Sequence, residues 1–260
     1  MNTVARAFAI MVMTLTAPGL SQQAWAQPAS PCKPDDIGIT VCPNGKSELR
    51  MIRGTLSPGK RYAMAWSTED GSTGSDYELM SHEDYKARFA GGERPTFLVR
   101  LGDGKVMIKL KGEHLGDQAR YNHRSARAIW SPDESFVATL YDGKWETNTA
   151  DAYRIGAGGA SEPLNLLKLC RAAEQDYFKR TPINGKFDGY SQSVDVKSIG
   201  NDGTLAALCS MQVIKEDDAY SFAVHSALRP SGKGLAAKIQ SFRRCKDDEA
   251  GDCAAPDVPE

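Results

Sequence analysis

The stretch from Trp130 to Gly143 constrains this chain more than any other. Its sequence is Trp-Ser-Pro-Asp-Glu-Ser-Phe-Val-Ala-Thr-Leu-Tyr-Asp-Gly. Pro132 fixes φ near the value needed at the second position of a type I turn, and Asp133 suits the third. From Phe136 to Tyr141 the residues are aromatic, β-branched or aliphatic, with Ala138 the small exception. Both faces of a strand built from them are apolar, which predicts a central strand covered on each side. Asp142-Gly143 closes it as a second turn.

Two other segments repeat the pattern. Ser57-Pro58-Gly59-Lys60 leads into Arg61 to Trp66, and Gly200-Asn201-Asp202-Gly203 leads into Thr204 to Cys209. The three starts lie about 70 residues apart, and a strand-built repeat of that kind points to a propeller or array. Ala63, Ala65, Ala138, Ala206 and Ala207 are small enough for neighbouring sheets to approach closely.

The Ser-Pro-Asp-x-x-x-x-Ala pattern resembles the TolB-like, WD40-like β-propeller repeat, in which Ser-Pro-Asp-Gly-Lys opens a blade strand. The first copy lacks the Asp, the second has Glu134 where the family has Gly, and the third lacks Ser-Pro. What the resemblance implies is a propeller-like set of antiparallel sheets and protein–protein contact in the cell envelope. Known propellers use at least four blades. Three copies therefore need a further blade from the N-terminal hairpin, closure by a homodimer, or a β-sandwich arrangement. An α+β fold is the remaining alternative.

Residues 1–26 read as a secretory signal peptide: Arg6, then the apolar run Ala7 to Leu15, then Ala24-Trp25-Ala26 as a small-x-small cleavage site. Cleavage there starts the mature chain at Gln27. The apolar run is too short to cross a bilayer, and no later stretch reaches about 20 apolar residues, so no membrane span is expected. The expected location is periplasmic or secreted. Residues 27–246 read as one β-rich domain, and residues 247–260 as an acidic C-terminal loop and tail.

Export gives the six cysteines their meaning. Cys32, Cys42, Cys170, Cys209, Cys245 and Cys253 are an even set in an oxidising compartment, which predicts disulfides. Local closure favours Cys32–Cys42 and Cys245–Cys253 and leaves Cys170–Cys209 as the long bridge. None of the spacings is the paired Cys-x-x-Cys of a zinc site.

Two helices are expected within the β framework. Ser81 caps a short one over 82–90, with Tyr85 and Phe89 on one face. Ser161 and Pro163 open a longer one over 162–179, with Leu166, Cys170, Ala173 and Tyr177 on its stripe. Between them, Thr96–Leu101, Gly102-Asp103-Gly104-Lys105 and Val106–Lys111 form a hairpin. Its second strand is expected to bury Val106, Ile108 and Leu110 and to leave Met107, Lys109 and Lys111 wet. Further strands are expected over 145–155, 190–196, 205–214, 220–228 and 238–243.

Little in the chain points to catalysis. Gly189-Tyr190-Ser191-Gln192-Ser193 lacks the last glycine of a nucleophile elbow, and His225 is a base for Ser191 only if folding joins them. His82, His114, His123 and His225 are scattered, and the aspartates form no EF-hand loop, so no metal is expected. No nucleotide or cofactor motif occurs, and none is expected to bind. Arg120, His123, Arg124 and Arg127 form a basic cluster suited to a carboxylate or phosphate. A formal net charge of −1 gives no bias towards nucleic acid. The expectation is a non-catalytic envelope binding or scaffold protein with a protein partner. The alternative is an exported hydrolase with a non-motif active site.

Overall fold

The computed structural model describes residues 30–36, 38–68, 95–113, 125–143, 146–180, 190–213, 219–246 and Cys253. The leader, the helix expected over 82–90 and Trp145 lie outside them. The described chain is mainly strand, in three antiparallel sheets with one helix.

The first sheet runs in sequence order through β1 (Lys33–Pro34), β2 (Thr40–Asn44), β3 (Ser47–Met51), β4 (Tyr62–Thr68), β5 (Pro95–Arg100) and β6 (Lys105–Glu113). The second holds β7 (Ser125–Trp130), β8 (Phe136–Asp142), β9 (Thr147–Gly156) and β10 (Gly159–Ala160), with β11 (Leu164–Asn165) also paired to β9. The third holds β12 (Tyr190–Ile199), β13 (Thr204–Val213), β14 (Ala219–Ser231) and β15 (Gly234–Arg244). The helix α1 (Leu166–Arg180) joins the second sheet to the third.

The second sheet is the middle layer, and its alternation shows why β8 is apolar on both faces. Phe136, Ala138 and Leu140 join Ala150 and Ala152 of β9 in a core shared with Val194, Leu205, Cys209, Phe222 and Val224 of the third sheet. Val137, Tyr141 and Tyr153 point the other way, into a core with Met64, Trp66, Leu98 and Leu110 of the first sheet. Every residue from Phe136 to Tyr141 is buried, as the sequence predicts. Helix α1 sets Leu166 and Cys170 into the core on the third-sheet side, with Tyr177 and Phe178 against Phe222.

Each outer face also carries a small buried cluster. On the first sheet, Leu49, Ala63, Ala65 and Val99 form a separate buried cluster with Cys42, and Cys32 packs on it. The arm ahead of β1 crosses this face: the Ser30 hydroxyl donates to Leu101 O at 2.5 Å. On the third sheet, Leu208 and Ala223 lie beneath Cys245 and Cys253. All three expected disulfides are present, Cys32–Cys42, Cys170–Cys209 and Cys245–Cys253. Two of them thus lie on the outer faces, and the third ties α1 to β13.

Two local expectations need correction. The hairpin of β5 and β6 carries a register shift between Leu98 and Val99. Val106 faces the outer cluster, while Met107 and Leu110 are buried in the core towards the second sheet. An irregularity in a strand breaks strict alternation, so the expected burial of Val106 and exposure of Met107 do not hold. The helix starts at Leu166 rather than 162, because Leu164 and Asn165 pair with Ala152 and Asp151 of β9. Asn165, not Ser161, caps it: its Oδ1 accepts the Lys168 N–H at 2.7 Å.

The three turns are of one kind, with the third closing one residue earlier. The N–H of Ser57 donates to Tyr62 O at 2.9 Å, that of Ser131 to Phe136 O at 3.0 Å, and that of Gly200 to Thr204 O at 2.7 Å. Three positions into each turn the backbone is left-handed, at Lys60 (φ 56°), Glu134 (φ 63°) and Gly203 (φ 82°). At Gly203 only glycine fits, since a Cβ there would sit 2.7 Å from Leu228 O.

Candidate functional site

The turns stand in a row across the sheet edges and are bonded to one another. Glu134 is only 2% exposed. Its carboxylate accepts the Gly59 N–H at 2.6 Å and the Arg61 Nε–H. Arg61 also donates to Asp133 O at 3.0 Å. On the other side, the Asp133 N–H donates to Asn201 Oδ1 at 3.0 Å. Burial pushes the Glu134 carboxyl up, but hydrogen bonds from Ser57, Arg61 and Gly59 outweigh it and hold it below the usual range. Trp130 adds to the clasp by donating Nε1–H to Thr55 O at 3.0 Å and stacking on Tyr62. Trp66 is buried in the core between the first and second sheets, and Trp130 packs against it.

Of the expected basic cluster, Arg120, His123 and Arg124 lie outside the described residues. Arg127 sits on β7 and bridges two sheets. It donates to Asp142 of β8 at 2.8 Å and to Asp195 of β12 at 2.9 Å. Lys197 pairs with Asp195 at 2.6 Å. Burial raises the Asp195 carboxyl, but Lys197 and Arg127 overcome it and hold its pKa low. A guanidinium already held by two carboxylates serves here as an inter-sheet tie.

A different place offers free cations. The β9–β10 hairpin and the β14–β15 hairpin meet at one end of the second and third sheets around a cleft of 390 Å³. Its lining includes Arg154, Gly158, Ser161, Gly232 and Lys233. The Glu162 N–H donates to Lys233 O at 3.0 Å, and the Arg154 N–H donates to the Ser161 hydroxyl at 3.0 Å. These backbone ties hold the two hairpins in place. Among the described residues, neither the Arg154 guanidinium nor the Lys233 ammonium has an ion pair. No sequence motif joins them, because the two hairpins are more than 70 positions apart along the chain.

Two carboxyls are buried without full pairing. Asp151, on the first-sheet side of β9, is 0% exposed and neither carboxylate oxygen has a partner. Burial pushes its pKa up, against a weaker pull from Lys111. Glu174 of α1 accepts from Gln192 Nε2 at 3.1 Å through one oxygen, while the other has no partner. Burial raises it too.

The Ser191–His225 pair does not form. Ser191 lies opposite Gln212, and Gln212 opposite Ala219, whereas His225 is six positions further along β14. At about 3.4 Å per residue this separates them by about 20 Å. Among the described residues no three His, Cys, Asp or Glu side chains group to hold a metal ion. No helix among them is long and apolar enough to cross a membrane. No family model matches the chain, and neither does a curated protein or a solved structure.

Proposed function

We propose that this is an exported, non-catalytic binding or scaffold protein of the cell envelope, built from three propeller-type blades. One observation carries the reading: a turn with a left-handed residue in its fourth position, at Lys60, Glu134 and Gly203, occurs three times, and each feeds a largely buried strand. The glycine of the Ser-Pro-Asp-Gly pattern is the left-handed residue, so the copies keep its conformation where they change its identity. The blades count as β3–β6, β7–β10 and β12–β15, each four strands in sequence order.

Three disulfides fit an oxidising compartment, periplasmic or extracellular. A disulfide packs on each end face of the stack, in the way that terminal repeats of an array are capped. A capped stack needs neither a fourth blade nor a second copy. It leaves its outermost strand, β15, to meet a protein partner, with Lys238, Gln240, Arg243 and Arg244 exposed. Fold analogy supplies the class of role, and the partner has to be found by contact.

Site-specific photo-crosslinking tests this in cells expressing the chain with its own leader. A crosslinker at Gln240 on β15 is expected to give a discrete adduct in the periplasmic or secreted fraction, and one at exposed Lys46 none. Adducts from neither position, or a chain that keeps Met1 and stays in the cytoplasm, would overturn the reading.

A further inference from the structure

We infer that the cleft between the β9–β10 and β14–β15 hairpins is a binding site for a small oxyanion, a phosphate or carboxylate group carried by a low-molecular-weight ligand. Its size is the first reason: 390 Å³ falls within the range of small-molecule sites, about 300–1,000 Å³. The second is charge. Arg154 and Lys233 reach the same cleft from different sheets, and neither is neutralised by an ion pair among the described residues. This contrasts with Arg50, Arg61, Arg100 and Arg127, each of which holds a carboxylate.

The surroundings reinforce that charge. Behind the hairpin, Lys105 donates to Gly158 O at 3.2 Å and Arg100 to Ala157 O at 3.3 Å. Arg100 is balanced by Asp103 at 2.6 Å, while Lys105 has no ion pair among the described residues. Exposed Glu162 stands at the rim, its Cβ beside Gly234. Among the described residues, Glu162 stands against Arg154, Lys233 and Lys105, which leaves the cleft positive on a chain whose net charge is −1.

The third reason is access. A methyl group placed on Gly158 or on Gly232 would meet nothing within 4 Å, so both hairpin tips are open to a ligand. A guanidinium takes two oxygens of one oxyanion in parallel, and an ammonium adds a point charge. Arg154 therefore orients the group and Lys233 neutralises it. The ties through Ser161 and Glu162 keep the two cation-bearing hairpins side by side before any ligand arrives.

This site does not rest on the scaffold reading: anion binding without any crosslinked partner would leave it standing, and the converse also holds. The test is an amide NMR titration of the full mature chain with inorganic phosphate and, separately, succinate, each at constant ionic strength balanced with sodium chloride. Saturable shifts are expected at Gly156, Gly158, Gly159, Gly232 and Gly234. Tighter saturation by one probe identifies which oxyanion the site takes. In the Arg154→Gln/Lys233→Gln double variant the binding should weaken at least tenfold, and Arg154→Lys should fall between. Both residues are exposed, and an otherwise unchanged amide spectrum of the double variant verifies its fold. Shifts that rise linearly without saturating, shifts spread away from these glycines, or equal affinity in the double variant would overturn the site.

Discussion

Glu134 occupies a position that ordinary side chains avoid. The left-handed conformation costs about 1–2 kcal/mol for a residue with a Cβ. Against that, a buried carboxylate that accepts hydrogen bonds from two neighbouring groups contributes about 2–3 kcal/mol. The bonds win. Glu134→Gly should therefore destabilise the protein by about 1 kcal/mol despite relieving the backbone, as read by urea unfolding. A more stable glycine variant would show that the clasp contributes little. The sign of the pH effect follows from the lowered carboxyl. Its stabilisation is present above the unfolded value, near 4.3, and is lost as pH falls through the lower folded value. Glu134→Gln should remove that part of the acid sensitivity.

Asp151 works in the opposite sense. Its folded pKa is raised by burial. The favourable state is the protonated one, fully present below the unfolded value near 3.9 and lost as pH rises towards the folded value. At neutral pH the folded chain bears the cost of a carboxyl without partners. Asp151→Asn is isosteric and removes the charge, so it should raise stability at pH 7 by about 1–2 kcal/mol, and its advantage should shrink on acidification. A variant that melts lower at pH 7 would mean that the charge is compensated.

At the scale of elements, the strands were readable and their junctions were not. β8 announces itself because six consecutive apolar or β-branched residues follow a proline turn, and β12 to β15 fall where alternation puts them. The bulge in the β5–β6 hairpin carries no residue signature: Val106, Met107 and Ile108 are all acceptable on either face. Ser161 and Pro163 look like a helix start in isolation, and only the ladder partner Ala152 on β9 holds Leu164 in a strand instead. The cap at Asn165 is therefore a tertiary outcome, and Asn165→Ala should cost about 1 kcal/mol, with loss of helical far-UV signal on melting. An equal loss from Ser161→Ala would move the helix start back to 162. The site was harder still to read, since Arg154 and Lys233 meet only because two hairpins end side by side, while Arg127, picked out by its basic neighbours, pairs with Asp142 and Asp195 across 15 and 68 positions.

For the whole molecule, the cysteine bridges differ in what they constrain. Cys170–Cys209 closes a loop of 39 residues and joins the helix to the third sheet, whereas Cys32–Cys42 and Cys245–Cys253 span 10 and 8. In the chain-entropy model the long bridge contributes about 4 kcal/mol and each short one about 1 kcal/mol less. The Cys170→Ser/Cys209→Ser variant should accordingly lose the most stability of the three bridge deletions in urea. If removal of Cys245–Cys253 costs more, covering the outer face of the third sheet matters more than loop closure.

The architecture places β8 at the centre, laddered on both sides and covered on both faces, with a capped sheet on either side of its own. Hydrogen exchange followed by mass spectrometry on the intact, disulfide-bonded chain measures this directly. Amides from Phe136 to Tyr141 should be among the last to exchange and should open only with global unfolding, while those of β15 at the outer edge exchange earlier. If the segment 136–141 exchanges as fast as 235–244, the second sheet is not the middle layer of the three.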